Sequence, residues 1–319
     1  MIFIYIVAIV GGVFVFLELI NHLYKKTNAY YNSRIDAKIF MEGIETQYDL
    51  AFTGSTYSKF AFGGYEELKL NWGDFSIQAQ SLEMDNAILK NYINYVKPNG
   101  VVVVVVAACL LLYRENKANT LYFSILKKEN NPIYSLKGKI KQHYPLLFNP
   151  TKAMKIVIDD PKLANVYDNF PTNLSEDNCE KELSHLINLW CELFKLDNLR
   201  DTNFSNQNRA VIEQNSTYLK EILSTCKENG KRPIIVIPPF SEKLNQFFSE
   251  EFKEQVIDIN INKVLANEEV ILFDYQKDAY FQKRPELFID GGFRLNKYGS
   301  KIFIRKLIRD MEQKGIKLN

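Results

Sequence analysis

Three hydroxyl side chains, Ser55, Thr56 and Ser58, stand together in the stretch DLAFTGSTYSKFAF, residues 49–62. They follow a short apolar run and Gly54, and a segment with helical spacing comes after them. A hydroxyl at such a strand-to-helix turn can attack a carbonyl carbon when a base removes its proton and N–H donors hold the oxyanion. The structural alternative is that Thr56 and Ser58 cap the following helix.

A second polar group lies late in the chain, in FIDGGFRLNKYG, residues 288–299. It contains Asp290, Arg294 and Asn296. Arginine stays protonated at neutral pH and therefore cannot act as a general base. We expect Asp290 to pair with Arg294 or to cap a turn. The chain has three histidines, and none of them is near this stretch in the sequence.

The elements that must position these groups alternate between strand and helix. The apolar run at Ala51 and Phe52 predicts a first strand, and SLEMDNAILKNYINYVK predicts an amphipathic helix. The run VVVVVVAACLLLY, residues 101–113, is too short to cross a membrane and is rich in β-branched residues at its start. It predicts a central parallel strand with both faces covered by helices.

Clear hydrophobic patterns resume after residue 205. They predict the helix NRAVIEQNSTYLKEILSTCKENG, the strand RPIIVIPP, helices within residues 242–265, the strand VILFDY and a last helix at 297–314. This order predicts a three-layer α/β/α sandwich with a central parallel sheet. Ligands of such sheets bind at the carboxyl ends of the strands. Residues 114–205 have weak periodicity and are interpreted as an insertion with one helix near 180–194.

Composition excludes several classes of function. The chain has 319 residues, 46% of them apolar, and its 40 basic and 38 acidic side chains leave a net charge of +2. A nearly neutral chain gives no bulk electrostatic case for nucleic-acid binding. The four cysteines and three histidines show no metal-ligand spacing, so we expect free thiols and no metal. Without a P-loop or dinucleotide motif, no cofactor is expected.

The N-terminal segment predicts a membrane anchor. Residues 1–17 carry no charged side chain, and roughly 20 helical residues cross a bilayer. A signal peptide would need a basic start and a small-residue cleavage site, which are not visible. A buried helix of a soluble protein is the other interpretation. We expect an uncleaved single-pass anchor at 1–24, a juxtamembrane linker at 25–48 and one domain at 49–319.

Membrane orientation stays open. Lys25, Lys26, Arg34 and Lys38 follow the apolar segment, and the positive-inside rule would then leave the domain in the cytoplasm. That rule is weak for large translocated domains, so it does not fix the side here.

Five stretches carry a family resemblance. In order along residues 49–311, with the insertion unmatched, these are FTGSTYSKFAF, NWGDFSIQAQSLEMDNAILKNY, GVVVVVVAA, PIIVIPPFSEKLNQFFSEEF and FIDGGFRLNKYGSKIF. They resemble blocks of the SGNH/GDSL-type hydrolases, and more closely the membrane-anchored members associated with bacterial cell-surface polysaccharides. The resemblance implies an SGNH/flavodoxin-like fold and a single-pass protein of the bacterial cytoplasmic membrane.

The residues that the resemblance assigns to catalysis are substituted. The serine position holds Thr56, with Ser55 one place earlier, and the glycine that supplies an oxyanion N–H corresponds to Ala79. Ala107, Ala108 and Cys109 stand where an asparagine donor is expected.

The histidine of the late block is also replaced. Its position corresponds to Arg294 or Phe293, while the orienting carboxylate is retained as Asp290. The usual triad is therefore not assembled from the usual residues.

Three functions follow as hypotheses. The first is a degenerate, non-catalytic protein of cell-envelope polysaccharide metabolism that binds a cell-surface glycan or a membrane protein of its biosynthesis. Its ligand contacts would be Arg294, Gln78, Ala79, Gln80 and Asn296. The second is an esterase or O-acyltransferase on surface glycans that uses Thr56 or Ser55, with Asp290 as the base. The third is an interaction domain without a ligand in the cleft.

Overall fold

The structure is a computed structural model, and it describes residues 2–27, 30, 34–45, 47–64, 70–115, 119–144, 150–159, 176–266 and 268–318. Its internal contacts divide the chain into two compact units. One unit comprises residues 1–42 and 116–167, and the other comprises residues 43–115 and 168–319. The stretch 114–205, which the sequence presented as one insertion, is therefore shared between the two units.

Helices and strands alternate through the described residues. The α-helices are α1 (Ile2–Tyr24), α2 (Ile35–Glu42), α3 (Thr56–Phe62), α4 (Leu82–Tyr92), α5 (Ala108–Leu112), α6 (Leu136–His143), α7 (Pro150–Asp159), α8 (Glu176–Phe194), α9 (Asn206–Glu228), α10 (Glu242–Asn245), α11 (Glu250–Lys253), α12 (Ile259–Leu265), α13 (Ala279–Gln282) and α14 (Lys297–Gln313). The strands are β1 (Tyr48–Phe52), β2 (Trp72–Asp74), β3 (Val96–Val105), β4 (Arg232–Ile237), β5 (Ile271–Asp274), β6 (Phe288–Ile289) and β7 (Arg294–Leu295).

Five parallel strands in the order β2-β1-β3-β4-β5 form the central sheet. Register pairs Leu50 of β1 with Val101 of β3, and Val103 of β3 with Ile234 of β4. The valines at 101–106 are all 0% exposed, so helices cover both faces of β3 as its apolar run predicts. The order 2-1-3-4-5 is a doubly wound arrangement, and its switch point lies between β1 and β3.

Local sequence explains where the flanking helices begin and end. The Ser81 hydroxyl accepts a hydrogen bond from the Met84 backbone N–H and starts α4, and Ser205 does the same for α9 through Asn208. Gly230 follows the end of α9 with a φ of +65°, a conformation that glycine adopts without steric cost. These contacts place the starts of α4 and α9 within two residues of the predicted ones.

The helix predicted over 81–97 ends earlier, at Tyr92, because β3 begins at Val96. The strand predicted over 101–113 ends at Val105, before the short helix α5.

Two short features were not predicted from the sequence. β2 has only three residues, which is too few for a period-two pattern to be recognised, and it forms one edge of the sheet. β6 and β7 form a separate antiparallel pair in which Ile289 faces Arg294. This pair follows the last parallel strand and carries the residues of the late polar stretch.

The other unit contains the apolar N-terminal helix. Within the described residues, α1 contains a 21-residue stretch, Ile4–Tyr24, with an 18-residue window of mean hydropathy 2.3, so by length and composition it could cross a membrane. Most of its side chains are exposed, unlike those of a buried core helix. Near its end, Ile20 packs with Leu17, Tyr24 and Met154 of α7, and the Asn21 amide donates to the His143 carbonyl at 2.9 Å.

Candidate functional site

A pocket of about 390 Å³ lies where β1 and β3 end, at the carboxyl edge of the sheet. This is the location that parallel α/β sheets use for ligands. One part of its lining is polar and consists of Ser55, Thr56, Gln80, Glu182, His185, Asp290 and Arg294. Another part is apolar and consists of Leu110, Leu186, Leu189, Trp190, Leu193, Phe194 and Phe293.

The turn after β1 presents two of its three hydroxyls to the pocket. Gly54 has a φ of +123°, and a Cβ at this position would lie 2.8 Å from the Ser58 Cβ, so the turn requires glycine. The buried Ser58 hydroxyl donates to the Thr53 carbonyl at 2.6 Å. The prediction that Thr56 and Ser58 cap this helix is wrong, because the N-cap residue is Ser55, the Ser58 hydroxyl donates back to Thr53, and the Thr56 hydroxyl accepts from Ala79.

Thr56 and Ala79 meet across the pocket rim. The Ala79 backbone N–H donates to the Thr56 Oγ1 with an N···O distance of 3.2 Å. Ala79 holds a φ of +54°, a left-handed conformation that a residue with a Cβ rarely adopts. The N–H donor that the resemblance assigns to a glycine is therefore present beside the hydroxyl.

The buried side chain of Asp85 is hydrogen-bonded to both segments that form the Thr56–Ala79 contact. Asp85 Oδ1 accepts a hydrogen bond of 2.8 Å from the Gly54 backbone N–H and another from the Gln80 amide. The Gln80 amide also donates to the Phe75 carbonyl at 3.1 Å. Burial is the main cause that raises the Asp85 pKa to about 7, and the charge of Glu115 raises it further.

The two glutamines that the sequence suggested as ligand contacts have different surroundings. The amide nitrogen of Gln80 is bound inside the protein, although the residue lines the pocket. Gln78 is half-buried and lies outside the lining. Their predicted function as ligand contacts stays a prediction.

The late polar stretch forms an ion pair instead of a carboxylate–imidazole pair. The Arg294 guanidinium pairs with the Asp290 carboxylate, which confirms the predicted pairing. The guanidinium also lies over the Phe60 ring, 4.1 Å from its centroid. Phe293 stacks on Tyr57 with ring centroids 5.2 Å apart. A guanidinium and a phenyl ring thus occupy the positions at which the resemblance expects histidine.

Asn296 is used by the fold. Its side-chain oxygen accepts from the backbone N–H groups of Tyr298 and Gly299, and its amide donates to the Glu286 carbonyl at 2.7 Å. It caps α14 and lies outside the pocket lining.

The end of β3 supplies a thiol to the pocket and no amide. Cys109 lies in α5, directly after Ala107 and Ala108, and it lines the pocket. Burial raises the pKa of its thiol to about 12, so it remains protonated at neutral pH and is a poor nucleophile. An oxyanion donor from an asparagine side chain is missing at this position.

Helix α8 closes one side of the pocket and adds two residues that sequence analysis missed. Gly291 has a φ of +64°, and a Cβ at this position would lie 2.5 Å from the Leu183 Cα, so α8 packs directly on this turn. Glu182 and His185 of α8 consequently line the same pocket as Asp290. The sequence does not show that His185 and Asp290 line one pocket, because more than a hundred residues separate them.

The chemistry available to this arrangement is limited. Thr56 has one N–H donor beside its hydroxyl, and Asp290 is paired with a cation. Among the described residues, no hydrogen bond connects the His185 imidazole to Ser55, Thr56 or Asp290. Within the described residues, the pocket thus combines a polar and an apolar lining, and the hydrogen bond at Thr56 comes from a backbone N–H and not from a base.

No protein-family model and no curated protein matches this chain.

Proposed function

We propose that the chain is a membrane-anchored, SGNH-hydrolase-like protein of the bacterial cell envelope that binds its ligand without hydrolysing it. The order of the five sequence blocks and the doubly wound sheet support the fold. The apolar helix Ile4–Tyr24 supports the anchor. The ligand class is an acylated cell-surface glycan or a glycan-bearing intermediate of polysaccharide metabolism, with a membrane protein of that pathway as the partner.

One observation carries the non-catalytic role: the Asp290 carboxylate is paired with Arg294. A serine or threonine hydroxyl needs a nearby group that takes up its proton, and a guanidinium cannot do so at neutral pH. The methyl group of Thr56 also crowds a position that in the family holds serine. Loss of an oxyanion donor, as at Cys109, costs roughly 3 kcal/mol of transition-state stabilisation in well-studied acyl transfer.

Acetyl-ester turnover and fluorophosphonate labelling test this proposal. The purified full chain should give no turnover above that of Thr56→Ala, and no labelling at Ser55, Thr56 or Ser58. An active serine hydrolase in the same detergent serves as the positive control. Stoichiometric labelling of Ser55 or Thr56, with turnover that Thr56→Ala removes, would contradict the binding role.

A second candidate function rests on His185. Its presence in the same pocket as Ser55 and Thr56 favours an esterase or O-acyltransferase whose base comes from α8 and not from the late stretch. In that mechanism the imidazole would take the hydroxyl proton while the oxygen attacks the ester carbonyl. His185→Ala and Thr56→Ala should then both abolish turnover, whereas Asp290→Asn, the base suggested by the sequence, should leave most of it.

A further inference from the structure

Besides the polar residues of the turn, the pocket has a long apolar lining from helix α8. Along α8, its lining residues change from Glu182 and His185 to Leu186, Leu189 and Trp190, and then to Leu193 and Phe194. At 1.5 Å per residue, the apolar part from 186 to 194 extends for ~12 Å. One side of the pocket is therefore a continuous apolar wall formed by one face of α8.

The polar part of the lining includes a hydroxyl without a protein partner among the described residues. Ser55 is only 8% exposed, lines the pocket, and its hydroxyl has no partner among the described residues. Thr56 is the next residue in the turn, and its Oγ1 accepts from the Ala79 N–H of the loop after β2. The Ser55 hydroxyl can therefore donate a hydrogen bond to a ligand oxygen that occupies this part of the pocket.

We propose that this wall is an acyl-binding chamber. It takes a straight hydrocarbon chain of about eight to ten carbons, given C–C bonds of about 1.5 Å, whose carbonyl or carboxylate oxygens meet Ser55 and Thr56. The inference rests on the proposed function, because it names the part of the ligand that this site recognises. A bare glycan does not fit the wall, since the side chains from Leu186 to Phe194 offer it few hydrogen-bonding groups.

Tryptophan positions allow a direct test. Trp190 lines the chamber, whereas Trp72 is buried in the sheet, where it packs on Phe52 and Phe62. A bromine atom quenches indole fluorescence only at contact distance. Titration of the full chain in lipid nanodiscs with 10-bromodecanoate should give saturable quenching, with unbrominated decanoate as the competitor and optical control.

Variants assign the quenching to the chamber. Trp190→Phe should remove it, and Leu189→Asp should weaken binding at least about tenfold. Leu189 is 48% exposed, so the charge is tolerated by the fold. Ile259→Asp, at a 40% exposed apolar position on α12 outside the lining, should bind like the parent.

Chain length gives a second readout. Each methylene group that becomes buried should lower the Kd by up to about fourfold, and the gain should stop once the wall is covered, at about ten carbons. Partition into the nanodisc would instead keep increasing with length. Non-saturable quenching, quenching that persists in Trp190→Phe, or equal binding by Leu189→Asp would each overturn the chamber.

The two proposals can fail separately. Ester turnover by the parent chain would contradict the non-catalytic role and leave the chamber as a substrate site. Absence of both turnover and saturable quenching would overturn the chamber and leave the non-catalytic role intact.

Discussion

The carboxylate of Asp85, on α4, accepts a hydrogen bond of 2.8 Å from the backbone N–H of Gly54, in the turn after β1. The same oxygen also accepts from Gln80, the residue after Ala79. One buried side chain therefore holds together the turn that carries Thr56 and the loop that donates to Thr56. Asp85 positions the site without reaching the pocket itself.

The stability of the protein should depend on pH through Asp85. Its folded-state pKa is raised from 3.8 to about 7, so between these values the native state keeps a proton that the unfolded chain has lost. The free energy of unfolding therefore falls as pH rises through this window. Asp85→Asn removes this loss, because its side chain stays neutral.

We expect Asp85→Asn to unfold at the same temperature as the parent near pH 4.5 and at a higher temperature near pH 7.5. A tenfold difference in proton affinity corresponds to about 1.4 kcal/mol, so the gain should be at least of this size. Thermal unfolding of the full chain in detergent at both pH values measures it. Parallel pH profiles of the two proteins would show that Asp85 does not titrate in this range.

Ser58→Ala and Ser55→Ala form a matched pair. Ser58→Ala leaves the buried Thr53 carbonyl without the Ser58 hydroxyl and should destabilise the protein by about 1–2 kcal/mol. Ser55→Ala removes a hydroxyl without a partner among the described residues and should change stability by less than about 0.5 kcal/mol. Thermal unfolding compares the two variants, and equal losses would refute the different roles assigned to these hydroxyls.

Gly291→Ala should loosen α8 from the site. The new Cβ would collide with the backbone of Leu183, in addition to the cost of a φ of +64°. Gly230→Ala is the control, since its φ is +65° and nothing lies within 4 Å of the added atom. We expect about 1 kcal/mol for Gly230→Ala, a larger loss for Gly291→Ala, and faster tryptic cleavage after Lys181 only in the latter.

Arg294→Ala should destabilise the fold by about 1–2 kcal/mol, because it leaves the half-buried Asp290 carboxylate without its cation and removes the contact over Phe60. Lys243→Ala breaks an ion pair with Glu180 in which both side chains are more than half exposed. Such a pair contributes little, so this variant should unfold like the parent. A loss in Lys243→Ala as large as in Arg294→Ala would contradict the structural role of the half-buried Asp290–Arg294 pair.

Sequence patterns predicted the sheet better than the site. The valine run and the strands around Ile234 and Phe273 were recognised because parallel strands need continuous apolar residues. The pairing of Asp290 with Arg294 was also predictable from charge and spacing. The place of His185 in the pocket could not be predicted from the sequence. Which residues of α8 line the pocket depends on how the helix packs on the turn at Gly291, and no local pattern indicates that packing.

The roles of Asp85 and Ala79 could not be predicted from the sequence either. An aspartate inside an amphipathic helix is indistinguishable from a solvated one until the neighbouring turn is placed against it. Similarly, the N–H of Ala79 becomes a donor to Thr56 only through its left-handed backbone, which no residue pattern around an alanine indicates.

The pairing of β3 with β4 has a consequence for how the chain is made. Between Val105 and Arg232 lie 126 residues, which a ribosome adds in roughly 6–25 s at 5–20 residues per second. Throughout this interval the nascent chain carries a strand whose residues 101–105 are all valine and whose β4-facing edge is open, a template for pairing with other chains. We expect soluble yield in cells to follow chaperone supply during translation more closely than it follows the thermal stability of the finished protein, which co-expression experiments can measure.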